Sequence, residues 1–219
     1  MSGVQLEVPT AHGAARVDLR RPRTCRALVV LTHGAGGTPH TPDVMAAADA
    51  AFALDAAVAL VTQPYRVAGR RTPPATGPQD AAWREVIDAL RGRRGLGAGA
   101  LIFGGRSNGA RVACRTAPVC GATAVLALAF PLHPPGRPDK TRIDELDAVG
   151  VSTLVLQGDR DPFGMPPARP QRRIGVLPGD GHGLTRNAET IAETTTEFLA
   201  DLLGSSPPER RGRQAISKR

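Results

Sequence analysis

Short apolar runs alternate along this chain with alanine-rich or amphipathic stretches, and this alternation restricts the fold more than any other feature of the sequence. The runs fall at residues 28–31, 57–61, 100–103, 124–130, 153–156 and 174–177. An uninterrupted apolar run of this length is typical of a parallel strand that is buried on both faces. Their alternation with helices predicts an α/β fold, in which a mainly parallel sheet carries helices on both faces.

Local signals mark the helices and one antiparallel element. Residues 4–8 and 15–19 alternate in polarity around a glycine-containing turn and predict an N-terminal hairpin. Thr41-Pro42 has the residue types of a helix start, a later helix is predicted to end before Pro118, and the last helix ends at Gly204. A further helix is indicated by apolar residues at helical spacing, namely Trp83, Val86, Ile87 and Leu90.

The length of 219 residues suits one domain, which we expect to occupy residues 1–204. Residues 205–219 have almost no apolar side chains and several arginines, so they predict a disordered basic tail. The net charge is +8, but aromatic residues make up only 3% of the chain. A nucleic-acid surface needs basic residues interleaved with aromatic ones, so we attribute the charge to compositional bias and expect no nucleic-acid partner.

The cysteines are Cys25, Cys114 and Cys120, and their spacing matches no zinc site. We therefore expect no metal and no other cofactor. The N-terminus lacks the basic and apolar regions of a signal peptide, and no apolar run is long enough to cross a membrane. These features predict a cytoplasmic protein with free thiols.

The segments that follow the predicted strands are rich in glycine and histidine. Ligands bind beyond the carboxyl ends of parallel strands, so we expect these segments to form one cleft. The sequence Gly105-Arg106-Ser107-Asn108-Gly109 follows a strand and opens a helix, which is the context of a nucleophile elbow. Such an elbow holds the hydroxyl at a helix N-terminus, where developing negative charge is stabilised. Ser107 is the candidate nucleophile, and the competing interpretation is a chance match in a glycine-rich chain.

A serine hydroxyl needs a general base, and chain order selects one of the five histidines. In sites built on a strand–turn–helix elbow, the order is serine, then acid, then histidine. Only His182, after the last strand, satisfies this order. Asp161 is the preferred acid because it lies further past the preceding strand than Asp159, which remains the alternative. Asp180 is closer to the histidine in sequence, but its place before a glycine suits turn chemistry.

Attack of a serine on a carbonyl produces an oxyanion, which preset N–H groups stabilise. One predicted donor is the backbone N–H of Asn108, directly after the nucleophile. The other is the backbone N–H of Ala35, in the glycine-rich segment 33–37 that follows the first buried strand. This segment lacks the spacing of a phosphate-binding Walker loop, so a nucleotide is not expected there.

Further polar residues are predicted near the cleft, namely His33, Arg66, Arg70, Arg71, Arg106 and His133. The arginines can bind a substrate carboxylate or phosphate in a bidentate manner, or they can fix loops by bonding to carbonyls and acidic side chains. The sequence leaves both interpretations open. No long insertion is available to form a lid, so an open, shallow site is predicted. Residues 66–78 folded over Ser107 would contradict it.

Six segments of the chain, within about residues 27–203, resemble the α/β-hydrolase superfamily. They are most similar to the small dienelactone-hydrolase-like group that includes testis-expressed protein 30 and the hydrolase-like part of the third subunit of the non-specific-lethal complex. The segments are 32–37, 63–71, 104–107, 130–136, 157–164 and 181–182. The resemblance implies the same fold and the same Ser-Asp-His assignment, but no substrate. Dienelactone hydrolases use a cysteine nucleophile, whereas this chain has Ser107.

The resulting hypothesis is a serine hydrolase that cleaves a carboxylic ester or thioester through an acyl-enzyme. The expected partner is then a small-molecule ester or thioester. The alternative is a non-catalytic binding or interaction module that retains the elbow, in which the cleft is blocked or His182 is misplaced.

Overall fold

The computed structural model describes residues 3–204, which contain eight strands and six helices. The predicted tail at 205–219 lies outside the described residues. The strands are β1 (Val4–Val8), β2 (Ala15–Arg20), β3 (Ala27–Thr32), β4 (Ala56–Thr62), β5 (Ala100–Arg106), β6 (Ala124–Leu128), β7 (Ser152–Gly158) and β8 (Arg172–Leu177). The helices are α1 (Pro42–Ala53), α2 (Pro64–Val67), α3 (Thr76–Arg91), α4 (Asn108–Cys120), α5 (Ile143–Asp147) and α6 (Ala188–Leu203).

The strands form one sheet in the spatial order β1-β2-β4-β3-β5-β6-β7-β8. The predicted N-terminal hairpin pairs antiparallel with β4, and every pairing from β4 to β8 is parallel. Every residue of β3, β6 and the apolar part of β5 is buried or nearly so. The prediction of a mainly parallel α/β sheet is therefore confirmed.

Two apolar layers cover the two faces of the sheet. On one face, α3 and α4 pack against the strands, and the α3 stripe places the Trp83 ring edge-on to the Phe103 ring at 5.5 Å. On the other face, α1 packs over β3 and β4, and α6 packs against α1 and β7. Since the α1 side chains in this layer are mainly alanines, the helix can approach the sheet closely.

One helix boundary differs from its prediction. Helix α4 continues through Pro118 to Cys120 and ends where Gly121 adopts a left-handed conformation, with φ of 65°. A proline in the last turn removes only one helical hydrogen bond, so the glycine rather than the proline ends this helix. The short helices α2 and α5 were not predicted from the sequence.

None of the helices within residues 3–204 combines the length and the apolar character that a membrane-spanning segment requires.

Candidate active site

Four parallel strands bring the candidate residues to one edge of the sheet. The glycine-rich loop 33–37 follows β3, Ser107 follows β5, Asp161 follows β7 by a short turn, and His182 follows β8. These strands run in the same direction, so their carboxyl ends meet at this edge. The predicted cleft therefore has a structural basis in the strand order.

Ser107 has φ of 53° and ψ of −112°, a conformation that costs energy for a residue other than glycine. Its N–H donates to the Leu128 carbonyl at 2.8 Å, and its carbonyl accepts the Arg111 N–H at 3.2 Å. These bonds hold the strained turn between β5 and α4. The turn places the Ser107 hydroxyl at the N-terminus of α4, as the elbow motif predicts.

The glycines that flank the serine are required by close backbone packing. A Cβ on Gly105 would lie 2.5 Å from the Thr32 carbonyl oxygen, and a Cβ on Gly109 would lie 2.8 Å from the same oxygen. Real Cβ atoms do not approach oxygen this closely, so any side chain here would push β3 away from the elbow. The motif thus sets the distance between the serine and the glycine-rich loop.

Ser107, His182 and Asp161 form a continuous hydrogen-bonded chain. The Ser107 Oγ lies 2.8 Å from His182 Nε2, and His182 Nδ1 lies 2.9 Å from Asp161 Oδ2. The Asp161 side chain is fully buried, whereas the His182 side chain is 21% exposed. Because a carboxylate only accepts hydrogen bonds, the network assigns the imidazole proton to Nδ1 and leaves Nε2 free to accept the serine proton.

The two other aspartates that the sequence offered have different partners. Asp159 accepts the N–H of Gly179 at 2.8 Å. Asp180 accepts the N–H groups of Thr185 and Arg186 through Oδ1, and the Asn187 side-chain amide through Oδ2. Both shape the loop that carries His182, and neither is hydrogen-bonded to its ring.

Gln157, at the end of β7, holds the Asp161 carboxylate. Its Nε2 lies 2.8 Å from Asp161 Oδ2 and 2.9 Å from the Gly164 carbonyl oxygen, while the Phe163 N–H donates to Asp161 Oδ1 at 2.9 Å. The Phe163 ring also lies against the His182 ring, with a centroid distance of 4.1 Å. Groups other than His182 therefore hold both oxygens of the Asp161 carboxylate.

The buried His33 side chain orients the glycine-rich loop. The Gln63 N–H donates to His33 Nε2 at 3.0 Å, so the ring proton lies on Nδ1 and is directed to the Gly34 carbonyl at 2.8 Å. The Gly37 N–H donates to the same carbonyl at 3.1 Å. The Gly34 carbonyl and the Ala35 N–H belong to the same trans peptide and point in opposite directions. Because the carbonyl faces His33, the Ala35 N–H faces away from it.

The Gly34–Ala35 peptide, which carries the Ala35 N–H, starts beside the nucleophile. A Cβ on Gly34 would lie 3.5 Å from Ser107 Cβ, so the peptide that carries this N–H is next to the nucleophile. The Ala35 carbonyl accepts the Tyr65 hydroxyl at 2.7 Å, which fixes the following peptide. Asn108 is the first residue of α4, so its N–H has no helical partner four residues earlier, and its side chain donates to Gln79 Oε1 at 2.6 Å.

Arg106 joins three segments of the site. Its Nη2 donates to the His182 carbonyl at 2.8 Å, and its Nε lies 3.3 Å from Asp43 Oδ2. Its Nη1 also lies close to Gly34. Burial raises the pKa of the fully buried Asp43 carboxyl, and the Arg106 guanidinium opposes that rise. One guanidinium thus connects the elbow to α1 and to the loop that carries His182, and it lies beside the glycine-rich loop.

The other polar residues predicted near the cleft have varied surroundings. Arg66 donates to the Gly37 and Arg70 carbonyls at 3.0 and 2.8 Å, which corresponds to the loop-fixing interpretation. His133 Nδ1 lies 2.9 Å from the Pro134 carbonyl, and its ring packs against Gly164 rather than against the serine. The Arg70 side chain is exposed.

Residues 66–78 pack beside the glycine-rich loop. None of them hydrogen-bonds to Ser107 or His182 in the part of the chain that the structure describes, and both site residues keep exposed surface. The arrangement agrees with an open site without a lid.

Sequence reasoning missed three residues that position the site: Gln157, Tyr65 and Gln79. A glutamine at the end of a buried strand is a weak signal that a polar group is needed there. Tyr65 and Gln79 carry no such signal, because their partners lie about thirty residues away in the sequence.

The family comparison assigns the class of protein. A family model described as an alpha/beta hydrolase domain matches residues 25–174, and the chain therefore belongs to this family. The matched range includes Ser107 and Asp161, and His182 lies beyond it. No similar sequence was found among curated proteins.

Solved structures share the fold at low sequence identity. XC6422 from Xanthomonas campestris, described as a serine hydrolase without a lid, aligns with a TM-score of 0.77 and 19% identity over 94% of this chain and 98% of its own. Est1E from Butyrivibrio proteoclasticus aligns with a TM-score of 0.76 and 14% identity over 93% and 100% of the two chains. A dienelactone hydrolase from Anabaena variabilis aligns with a TM-score of 0.72 and 16% identity over 91% and 97%. The chain thus has the α/β-hydrolase fold.

Proposed function

We propose that this protein is a serine hydrolase that cleaves a carboxylic ester or thioester. The observation that carries the proposal is the hydrogen-bonded chain from Asp161 through His182 to Ser107, with distances of 2.9 and 2.8 Å. A serine becomes nucleophilic when a base accepts its proton and a carboxylate orients that base. The family, and a structural neighbour described as a serine hydrolase, support hydrolysis as the reaction class.

In the proposed mechanism, Ser107 Oγ attacks the carbonyl carbon while His182 Nε2 accepts the hydroxyl proton. Asp161 stabilises the imidazolium that results. The oxyanion accepts hydrogen bonds from the N–H groups of Ala35 and Asn108. The intermediate then collapses, and His182 returns the proton to the departing alcohol or thiol. A water molecule, deprotonated by His182, hydrolyses the acyl-enzyme, releases the acid and restores Ser107. These steps need no metal or organic cofactor.

We also place the protein in the small dienelactone-hydrolase-like group. The support is the set of six segments in the sequence, of which Pro-Leu-His-Pro-Pro at 131–135 and the arginine-rich segment 63–71 are the most specific. A serine stands at the nucleophile position, so dienelactone itself is not the proposed substrate.

The alternative is a binding module that retains the fold without turnover. It predicts a blocked cleft or a misplaced histidine. His182 lies at hydrogen-bonding distance from Ser107 and keeps exposed surface, so the geometry favours the hydrolase.

Hydrolysis of p-nitrophenyl acetate and of an acetyl thioester tests this proposal. Wild-type protein should hydrolyse at least one of them well above the spontaneous rate, and Ser107→Ala should remove the activity. Asp161→Asn should lower kcat by about a thousandfold or more, because the amide favours the wrong imidazole tautomer. Asp159→Asn is the matched control: the asparagine oxygen can still accept the Gly179 N–H that shapes the His182 loop, so this variant should retain most of the wild-type activity. Full activity in Ser107→Ala, or equal losses in the two aspartate variants, would contradict the proposal.

A further inference from the structure

A cavity of about 460 Å³ lies between the hairpin turn, α2 and the start of α3. This volume is in the range of sites that bind small organic molecules. The cavity has a largely apolar wall, formed by Pro64, Val67, Ala68, Pro74, Pro78 and Ala82. The mechanism above gives no role to this space.

Two residues of the cavity wall hydrogen-bond to the residues proposed as oxyanion donors. Tyr65 and Gln79 line the cavity, and they are the residues that hydrogen-bond to Ala35 and Asn108. A single hydrogen bond therefore separates the cavity wall from each donor residue. Ser107, Ala35 and Asn108 themselves do not line the cavity, so a substituent of a carbonyl held by those donors would have to extend past Tyr65 or Gln79 to reach it.

That substituent is the acyl group rather than the leaving group. His182 must protonate the leaving atom, so the alcohol or thiol has to lie on the histidine side of the carbonyl. His182 does not line the cavity, whereas the neighbours of the oxyanion donors do. The acyl chain, on the opposite side of the carbonyl, is therefore the part of the substrate that would extend toward the cavity.

The charges around the cavity favour an acyl chain that ends in an anionic group. Among the described residues that line it, none is an aspartate or a glutamate, and the one arginine is Arg70. The Arg70 side chain is exposed and makes no hydrogen bond or ion pair within residues 3–204. The Gln63 side chain at the wall is 3% exposed, and its Nε2 has no partner there. Rotation of the Gln63 amide about its terminal torsion would offer a hydrogen bond to a bound ligand.

We propose that this cavity binds the acyl part of the substrate and that this part is a short apolar chain ending in a carboxylate, which Arg70 binds. The preferred substrates are then half-esters or half-thioesters of aliphatic dicarboxylic acids. The proposal rests on the proposed hydrolase function, and it concerns specificity rather than the existence of the reaction.

The test compares mono-p-nitrophenyl adipate with its uncharged methyl ester, each corrected for spontaneous hydrolysis. Wild-type protein should show a kcat/KM about fivefold higher for the carboxylate, the size of effect expected from a solvent-exposed charge pair. Arg70→Gln should abolish this preference. Arg84→Gln removes the same charge from an exposed position on α3 outside the cavity, and it should keep the preference.

A second variant tests the apolar wall. Ala68 lines the cavity from an exposed position, so Ala68→Phe should fold normally while narrowing the cavity. It should lower kcat/KM for both adipate esters about tenfold relative to p-nitrophenyl acetate. If Arg70→Gln and Ala68→Phe both leave the ratios among the three substrates unchanged, the cavity is not the acyl site.

A binding measurement separates this proposal from the proposed function. Monomethyl adipate is titrated calorimetrically into the Ser107→Ala protein, which needs no turnover. Binding that Arg70→Gln weakens about fivefold would support the cavity proposal even if the wild-type protein hydrolysed nothing. No binding to the folded Ser107→Ala protein would overturn it, even if p-nitrophenyl acetate were hydrolysed.

Discussion

His33 shows at the scale of one residue how a polar group is used inside the core. Its side chain is fully buried, and both ring nitrogens have backbone partners that require the neutral tautomer. Burial lowers the pKa of His33 to about 4, with a smaller contribution in the same direction from the nearby Arg66 guanidinium, while the hydrogen bond to the Gly34 carbonyl opposes the shift. The ring is therefore a neutral support for the glycine-rich loop at physiological pH.

This state of His33 predicts a pH dependence of stability. The unfolded histidine, with a pKa of about 6.5, binds a proton between pH 4 and 6.5, whereas the folded one does not. Stability should therefore fall as the pH is lowered through this window, by about 2–3 kcal/mol for this group. Urea unfolding at neutral pH and near the lower end of the window measures the change.

The comparison with His33→Asn isolates this effect from other titrating groups. Asparagine can donate to the Gly34 carbonyl but does not titrate. The wild-type advantage over this variant should shrink as the pH falls. An advantage that stays constant across the window would contradict the neutral, buried assignment of His33.

The roles of some single residues could be predicted from the sequence, and those of others could not. Asp161 could be preferred to Asp159 because its position past β7 is visible in the sequence, and only Asp161 contacts His182 in the structure. The role of Arg106 was open, because an arginine beside a nucleophile suits substrate binding and loop fixing equally. Its contacts with Asp43 and the His182 loop depend on segments far apart in the chain.

At the scale of elements, the elbow packs closely against β3. Gly109 lies in the first turn of α4, where alanine would ordinarily strengthen a helix. Here a Cβ would meet the carbonyl oxygens of Thr32 and His33, each at 2.8 Å. The glycine therefore allows α4 and the glycine-rich loop to approach each other.

Gly109→Ala should destabilise the protein by about 1–3 kcal/mol, as overpacking does in other cores. Gly77 lies in the first turn of α3, and a Cβ added there would meet nothing within 4 Å. Gly77→Ala is the matched control and should be neutral or stabilising by up to about 1 kcal/mol. Denaturant unfolding of both variants measures the difference. Equal effects at the two positions would show that the close approach at Gly109 has no energetic consequence.

Element types were largely predictable, and element boundaries less so. Uninterrupted apolar runs identify buried parallel strands because both faces of such strands pack against helices, as β3 and β6 do. The end of α4 was misplaced because Pro118 is a strong local signal, whereas the helix is ended by Gly121. The helix α5 has only five residues, and Arg111 holds its Glu145 at 2.9 and 2.6 Å, a tertiary contact that local sequence does not reveal.

At the scale of the whole molecule, the sheet order makes the site possible. Ser107 and His182 are 75 positions apart, yet β5 and β8 bring both to one edge. No short motif contains this information. The location of the site follows from the direction of the parallel strands together with the chain order of Ser107, Asp161 and His182. These three residues could therefore be predicted from the sequence, whereas the contacts that hold them in place could not.

Labelling by a fluorophosphonate probe tests the central claim most directly, because the probe reacts only with an activated serine. The account predicts that wild-type protein is labelled at Ser107, as located by peptide mass spectrometry, and that Ser107→Ala and His182→Ala are not labelled. The folded state of each variant is checked by its thermal unfolding. Absence of labelling in folded wild-type protein, or labelling that persists in His182→Ala, would contradict the assignment of an activated serine and favour a binding module.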